Sequence, residues 1–214
     1  MAVFVKWIGH SGFQIKTEGK IIYVDLDEGE VTEKADLILV THSHGDHCNP
    51  SKIKDVSREN TVIIAPRNCV SEIGGKIKSL KLGEETTIDN IRVKAVDAYN
   101  FKRFRSPGNP YHPKGFGVGY LITVEGKTIY HAGDTDFIPE MRRLEQVDVA
   151  LLPSGDTFTM DNVEAAEAAM TINPKIAIPM HRWNTKPEEF KEKIEADSNV
   201  KALLLREGEE FQVA

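Results

Sequence analysis

Three of the chain's seven histidines and an aspartate fall within six consecutive positions: His42, His44, Asp46 and His47 in the stretch THSHGDHCNP. Imidazole nitrogens and carboxylate oxygens are the ligands that zinc-type ions take, and catalytic sites of this kind leave one position open for water. The stretch follows directly on the apolar run LILV, so the cluster stands at the carboxyl end of a strand. On extended backbone residues i and i+2 point the same way, which lets His42 and His44 grip one ion. Gly45 permits a sharp turn, after which Asp46 and His47 leave in another direction, toward a second ion. A solvated histidine-rich loop would explain a bare His-x-His. The added Asp-His makes a metal cage the better reading.

A pair of ions needs more ligands, and three further residues stand at strand ends. His112 lies in PYHPKGFGVGY just before a strand, Asp134 closes IYHAGDT after another, and His181 ends IAIPMH after a third. Any one of these alone would be unremarkable; together they complete a cage.

The elements that must position these residues are short and rich in Val and Ile, bounded by Gly, Pro, Asn or Asp. Strands are expected over Val3–Ile8, Lys20–Val24, Leu37–Val40, Thr61–Ala65, Ile91–Val96, Val118–Val124, Thr128–Tyr130, Val149–Leu152, Ile176–Pro179 and Ala202–Leu205. Helices are expected over Asp161–Ile172, which opens with an Asp-x-x-Glu capping arrangement, and over Pro187–Ala196, which opens with proline and acids. Ile138–Leu144 and Lys52–Ser57 look like shorter helices. One word recurs half a chain apart: EGKIIYVD from Glu18 and EGKTIYHAGD from Glu125, each followed by an Asp-led apolar strand at Asp36 and Asp148. Two similar β-rich halves facing each other predict a two-sheet core with helices outside, within one domain over residues 1–214.

Composition narrows the class. A hydrophobic content of 40% and a charged content of 28% are globular values. A net charge of −6 gives no basic face for nucleic acid. Cys48 and Cys69 are too few for a disulfide framework, which points to a reducing compartment. The start, MAVFVKWIGHSGF, has no basic segment before a long apolar run, and no stretch is apolar enough to span a membrane. A cytoplasmic protein with neither nucleic-acid nor membrane partners is expected, with a homo-oligomer left open.

The motifs resemble the metallo-β-lactamase superfamily. His42, His44, Asp46 and His47 match its His-x-His-x-Asp-His signature, His112 with Gly115 its later His-x-x-Gly element, Asp134 its bridging aspartate and His181 its final histidine. WIGHSGF, YHAGDTD, LLPSGDTFTM and PMH look like the branch of small stand-alone hydrolases that includes the ascorbate-phosphate lactonases. The resemblance implies a four-layer αββα sandwich with two mixed sheets. It also implies that His42, His44 and His112 hold one ion, that Asp46, His47 and His181 hold the other, and that Asp134 bridges. In family members with a di-iron redox centre the second histidine of the motif is often a glutamate. His44 here favours hydrolytic zinc, with manganese as the alternative.

Two such ions lower the pKa of a shared water from 15.7 to about 7, and the expected chemistry is hydrolysis of a small ester, lactone or phosphodiester. Asp46 and His10 are the candidate catalytic groups beside the ions, His10 because it also follows a strand, in GHSGF. His131 is expected to be structural, and Asp25 to orient a histidine or brace the loop. Lys102, Arg103 and Arg105, just upstream of His112, and Arg182, beside His181, are the candidate partners of an anionic substrate. Gly155–Met160 could add helix-terminal N–H groups. The rival readings are a nuclease, disfavoured by the acidic balance, and a non-catalytic metal-binding protein of the same fold.

Overall fold

The computed structural model of the chain describes residues 1–74 and 77–214. The first half runs β1 (Val3–Gly9), β2 (Gly12–Lys16), β3 (Ile21–Val24), β4 (Leu37–Leu39), α1 (Pro50–Val56), β5 (Val62–Ala65), α2 (Val70–Ile73) and β6 (Ile77–Ser79). The second runs β7 (Glu85–Ile88), β8 (Ile91–Ala98), a small hairpin of β9 (Phe104–Ser106) and β10 (Asn109–Pro110), β11 (Gly117–Val124) and β12 (Lys127–His131). It continues through β13 (Val149–Pro153), α3 (Asn162–Ile172), β14 (Ile176–Met180), α4 (Pro187–Asp197), β15 (Lys201–Ala202) and β16 (Glu210–Val213).

Two seven-stranded sheets result, ordered β16-β1-β2-β3-β4-β5-β6 and β15-β14-β13-β12-β11-β8-β7. Read outward from β16 and from β7, both show antiparallel pairings followed by parallel ones, with the change at β3 in one sheet and at β12 in the other. The recurring sequence word therefore marks a repeated structural unit. Its two aspartates do the same work: Asp36 accepts from the Ile21 N–H and Asp148 from the Thr128 N–H, both at 2.8–2.9 Å, tying the start of each parallel strand to its neighbour.

The central parallel strands β4, β13 and β14 are covered on both faces, so they read as continuous apolar runs. In LILV, Leu37 and Leu39 face the central core between the sheets with Val24, Ile64, Tyr120 and Ile178. Ile38 and Val40 face outward beneath Ile53 and Val56 of α1. On the other sheet Leu151 faces the core while Ala150 and Leu152 pack under Ala165, Ala169 and Phe190 of α3 and α4. The layers are α, β, β, α, as expected.

Several boundaries differ from the sequence reading. Helix α3 begins where expected, with Asp161 as N-cap and Glu164 closing the capping box. Ile138–Leu144 forms a 3-10 helix at Pro139–Arg143. α1 starts at Pro50 because the Asn49 side chain caps it, accepting from the Ser51 and Lys52 N–H groups. Of Ala202–Leu205 only Ala202 is in β15. Strands β2, β6, β7, β9, β10 and β16 are additional, most of them short or at a sheet edge. Among the described residues no helix is long and apolar enough to cross a membrane.

Candidate metal centre

Strand direction explains why distant residues meet. β3, β4 and β5 are parallel, and β1 runs the same way because two antiparallel pairings separate it from β3. His10, Asp25 and His42 follow β1, β3 and β4 and so emerge at one edge of the first sheet. In the second sheet Asp134 and His181 follow β12 and β14, and β11 is antiparallel to β12. The start of β11, preceded by His112, thus lies at that same edge. The sheets touch here: the Val118 N–H donates to the Thr41 carbonyl at 3.0 Å. A Cβ on Gly117 would lie 2.9 Å from His42 Cβ, so glycine is what admits the histidine.

The seven residues converge. His44 Nδ1 is 3.1 Å from His42 Nε2 and 3.2 Å from His112 Nε2. Nitrogens held at zinc distance around one tetrahedral ion sit about 3.3 Å apart, so these three are spaced as ligands of one ion would be. Asp134 stands between the two groups. Its Oδ2 is 3.3 Å from His112 Nε2 and 3.2 Å from His181 Nε2, and its Oδ1 is 3.3 Å from His47 Nε2. Asp46 Oδ2 is 3.9 Å from both His47 Nε2 and His181 Nε2. His47 Nε2, His181 Nε2 and Asp134 Oδ1 are buried without a hydrogen-bond partner. Unsatisfied buried polar atoms cost roughly 1–3 kcal/mol each, and a bound cation would relieve all of them. The all-nitrogen-and-oxygen donor set fits zinc or manganese. Among the described residues three groupings could hold an ion: His42, His44 and His112; His42, His47 and Asp134; and Asp46, His47 and His181 joined by His10.

The far side of each ring is also fixed. Asp25, fully buried, accepts from His47 Nδ1 at 2.8 Å, from the Thr41 hydroxyl at 2.6 Å and from the Thr41 N–H at 2.8 Å. It therefore both orients a histidine and braces the loop. The Thr41 hydroxyl in turn lies 2.9 Å from His42 Nδ1, and Asn100 Oδ1 lies 2.7 Å from His112 Nδ1. With the proton on Nδ1 in each ring, Nε2 of His42, His47 and His112 is free to bind metal. Gly45 turns out not to use its conformational freedom. The turn is closed by His47 and Cys48 N–H groups donating to the His44 carbonyl.

Charge follows from burial and neighbours. Burial holds His42 well below the ordinary imidazole value, lowers His44, and brings His112 down to about 4. Burial would lower His47 too, but the Asp134 and Asp25 carboxylates outweigh it and hold His47 well above. Burial disfavours ionised Asp134, yet His181 and His47 keep it well below the usual carboxylate range. Asp46 is likewise held low, against its own burial, by the His10 hydrogen bond and by His47. Four of the non-glycine residues with positive φ border this centre: His10 (45°), Asp25 (48°), His181 (49°) and Trp183 (45°). Such conformations cost roughly 1–3 kcal/mol each and gather where function requires them.

The remaining candidates separate. His10 Nε2 is 3.2 Å from Asp46 Oδ2, behind that carboxylate. His131 spans the Ser11 carbonyl (2.8 Å) and the Gly133 N–H (3.2 Å), a structural tie. Arg105 enters the pocket, with Nη2 3.3 Å from His44 Nε2. Arg103 does not: its guanidinium is spent on Asp136, Glu164 and Asp156, and Lys102 is paired with Glu164. Arg182 lies over the Trp7 ring, 4.1 Å from its centroid, and donates to the Leu205 carbonyl in a neighbouring cleft. In Gly155–Met160 the Asp156, Thr159 and Met160 N–H groups donate to the Met160, Asp156 and Thr135 carbonyls, and the acids Asp161 and Glu164 cap α3. Cys48 packs with Cys69 in the outer core.

Asn100 and Asp136 have no place in the sequence reading. Asp136 accepts from the Phe101 and Lys102 N–H groups and from Asn100, fixing the loop that carries His112. Only its position two residues after Asp134 hinted at this. Tyr111, Phe158 and Trp183 wall the pocket; Tyr111 and Phe158 lie within the stretches PYHPKGFGVGY and LLPSGDTFTM, but the sequence assigned no role to any of the three side chains.

Residues 4–181 match the model of the beta-lactamase superfamily domain. A metal-dependent hydrolase from Pelotomaculum thermopropionicum is 32% identical over 98% of this chain and 99% of its own length. A crystal structure of a metal-dependent hydrolase from Parabacteroides distasonis superposes with a TM-score of 0.89 at 36% identity, covering 97% of this chain and 94% of that one. The metallo-hydrolase Igni18 of Ignicoccus hospitalis superposes at 0.81 with 25% identity, over 99% and 98% of the two chains. By the match along its length and by the architecture that accompanies it, the chain belongs to the metallo-β-lactamase superfamily.

Proposed function

We propose that the chain is a dinuclear metal-dependent hydrolase of a small ester, lactone or phosphodiester that carries an anionic group. The observation that carries this reading is the set of lone pairs converging on Asp134, several of them buried and without partners. That relatives along the whole chain are metal-dependent hydrolases supports it. His42, His44 and His112 hold one ion, Asp46, His47 and His181 the other, and Asp134 bridges; zinc is preferred and manganese is the alternative. The ions supply Lewis acidity and an activated water when bound.

The chain's own residues do the rest. Asp25, Thr41 and Asn100 hold the tautomers in which the ligating nitrogens are bare. Asp46, partly exposed to the pocket, is steadied by His10. That pair orients the attacking water and relays its proton to the leaving oxygen. Arg105 presents the cation nearest the reacting bond.

The test is a purified protein assayed on a generic phosphodiester and an ester panel, stripped of metal and then reloaded with Zn²⁺ or Mn²⁺. Turnover should vanish with the metal and return with it. A loaded protein that binds two ions and hydrolyses nothing in the panel would favour the non-catalytic metal-binding reading.

A further inference from the structure

The pocket above the candidate metal centre encloses about 250 Å³, and its outer wall is built from three aromatic side chains and one arginine: Tyr111, Phe158, Trp183 and Arg105. Tyr111 and Phe158 meet edge to face at 4.8 Å between centroids, and Phe158 and Trp183 stand 6.2 Å apart. Arg105 lies 5.4 Å from the Tyr111 ring, and among the described residues it pairs with no carboxylate, unlike its neighbours Lys102 and Arg103.

Trp183 is 57% exposed, the most exposed large aromatic side chain among the described residues. It is also held there at a cost. Its φ is 45°, and the turn that presents it is pinned by the Thr185 hydroxyl donating to the Arg182 and Ser154 carbonyls. Gly155 beneath it has no room for a side chain: a Cβ would lie 2.1 Å from the His181 carbonyl oxygen and 2.6 Å from Trp183 Cδ1. Strained backbone that holds an indole in solvent, beside a reactive centre, is a ligand-facing feature rather than a packing one.

We infer that the substrate is an aromatic or similarly flat apolar anion, its ring seated against Trp183 and Phe158 and its charged group between Arg105 and the metal centre. This rests on the hydrolase reading and specifies its substrate class. The size agrees: a cavity of about 150 Å³ accepts a benzene ring, which leaves room in this pocket for one ring and a reacting group. The wall also assigns separate tasks. Trp183 selects for the ring, while Arg105 selects for the charge and is indifferent to the ring.

The experiment uses metal-loaded protein and calorimetric titration with two unreactive probes, phenylphosphonate and methylphosphonate, so that binding is read without turnover. Wild type should bind the phenyl probe about tenfold or more tightly than the methyl probe, as one buried ring is worth. Trp183→Ala should cut that ratio severalfold, leaving only what Phe158 contributes, and Trp183→Phe, which keeps a flat ring, should restore most of it. Arg105→Met should weaken both probes by the same factor, roughly tenfold or more, as loss of a charged hydrogen bond does. Metal content, measured on every variant, shows that the centre is intact. A wild-type ratio near one, or a ratio that survives Trp183→Ala, overturns the inference. If the probes bind as stated but no ester or phosphodiester is turned over, the hydrolase reading fails and the ring-and-anion site stands.

Discussion

Replacing Asp25 by asparagine tests whether a residue outside the ligand set controls the metal centre. The change keeps shape and size at a site with no solvent access. The amide oxygen can still accept from the Thr41 N–H. At the other position an N–H₂ group now faces the Thr41 hydroxyl and His47 Nδ1, where the carboxylate accepted at 2.6 and 2.8 Å. The hydroxyl can rotate and become the acceptor. The ring cannot; it must move its proton to Nε2, the atom that faces Asp134 and the proposed ion. Hydrogen bonds to charged groups contribute about 1.5–3 kcal/mol each, so the metal-free protein should lose roughly 2–5 kcal/mol. Loss of a partner behind a ligating histidine typically weakens metal binding about 10–100-fold. Metal titration against a chelating indicator, well below the thermal transition, should show the ion at His47 weakened by that factor and the ion at His42, His44 and His112, which Asp25 reaches only through the Thr41 hydroxyl, weakened less. Two ions bound with wild-type affinity would refute the claim that Asp25 orients His47.

Further outcomes follow from the same geometry. Asp134→Ala should deplete both ions, since its two oxygens face His47 on one side and His112 and His181 on the other; elemental analysis finding either ion at full occupancy contradicts the bridging role. Arg103→Ala should lower stability by on the order of 3 kcal/mol through its pairs with Asp136 and Glu164, whereas Arg105→Ala should leave stability alone and raise KM for an anionic substrate about tenfold or more. The reverse pattern in denaturation and kinetics would exchange their roles. Metal loading at pH 7 should release a proton from His47, which its carboxylate neighbours hold above the ordinary value, and none from His42, His44 or His112, which burial keeps neutral. Metal competes with protons for His47, so affinity should rise with pH across neutrality, by about tenfold per unit for each proton displaced. Titrations in buffers of different ionisation heat that show no proton release would overturn this assignment.

The candidate ligand residues were legible in the sequence because metal binding demands rare residue types, and because a strand end places them at fixed offsets from an apolar run. His42, His44, Asp46 and His47 share one loop, and the repeated word EGK-x-IY exposed the two-sheet plan before any coordinate. The αββα layering was implied by the family resemblance, in agreement with that repeated word. What lies around the ligands was not legible. Lys102, Arg103 and Arg105 are equivalent as a run of charges, and only the packing of α3 against their loop decides that Glu164 and Asp136 consume Lys102 and Arg103 and leave Arg105 to the pocket. Asn100, Phe158 and Trp183 belong to three loops far apart in the chain, and nothing local distinguishes them from ordinary turn residues. Their roles arise mainly from contacts among loops that follow different strands of the second half, which depend on how that sheet is ordered. Local chemistry determined which residues could bind metal; the tertiary structure alone decided which ring nitrogens face it, which cation is free, and which aromatic wall a substrate would meet.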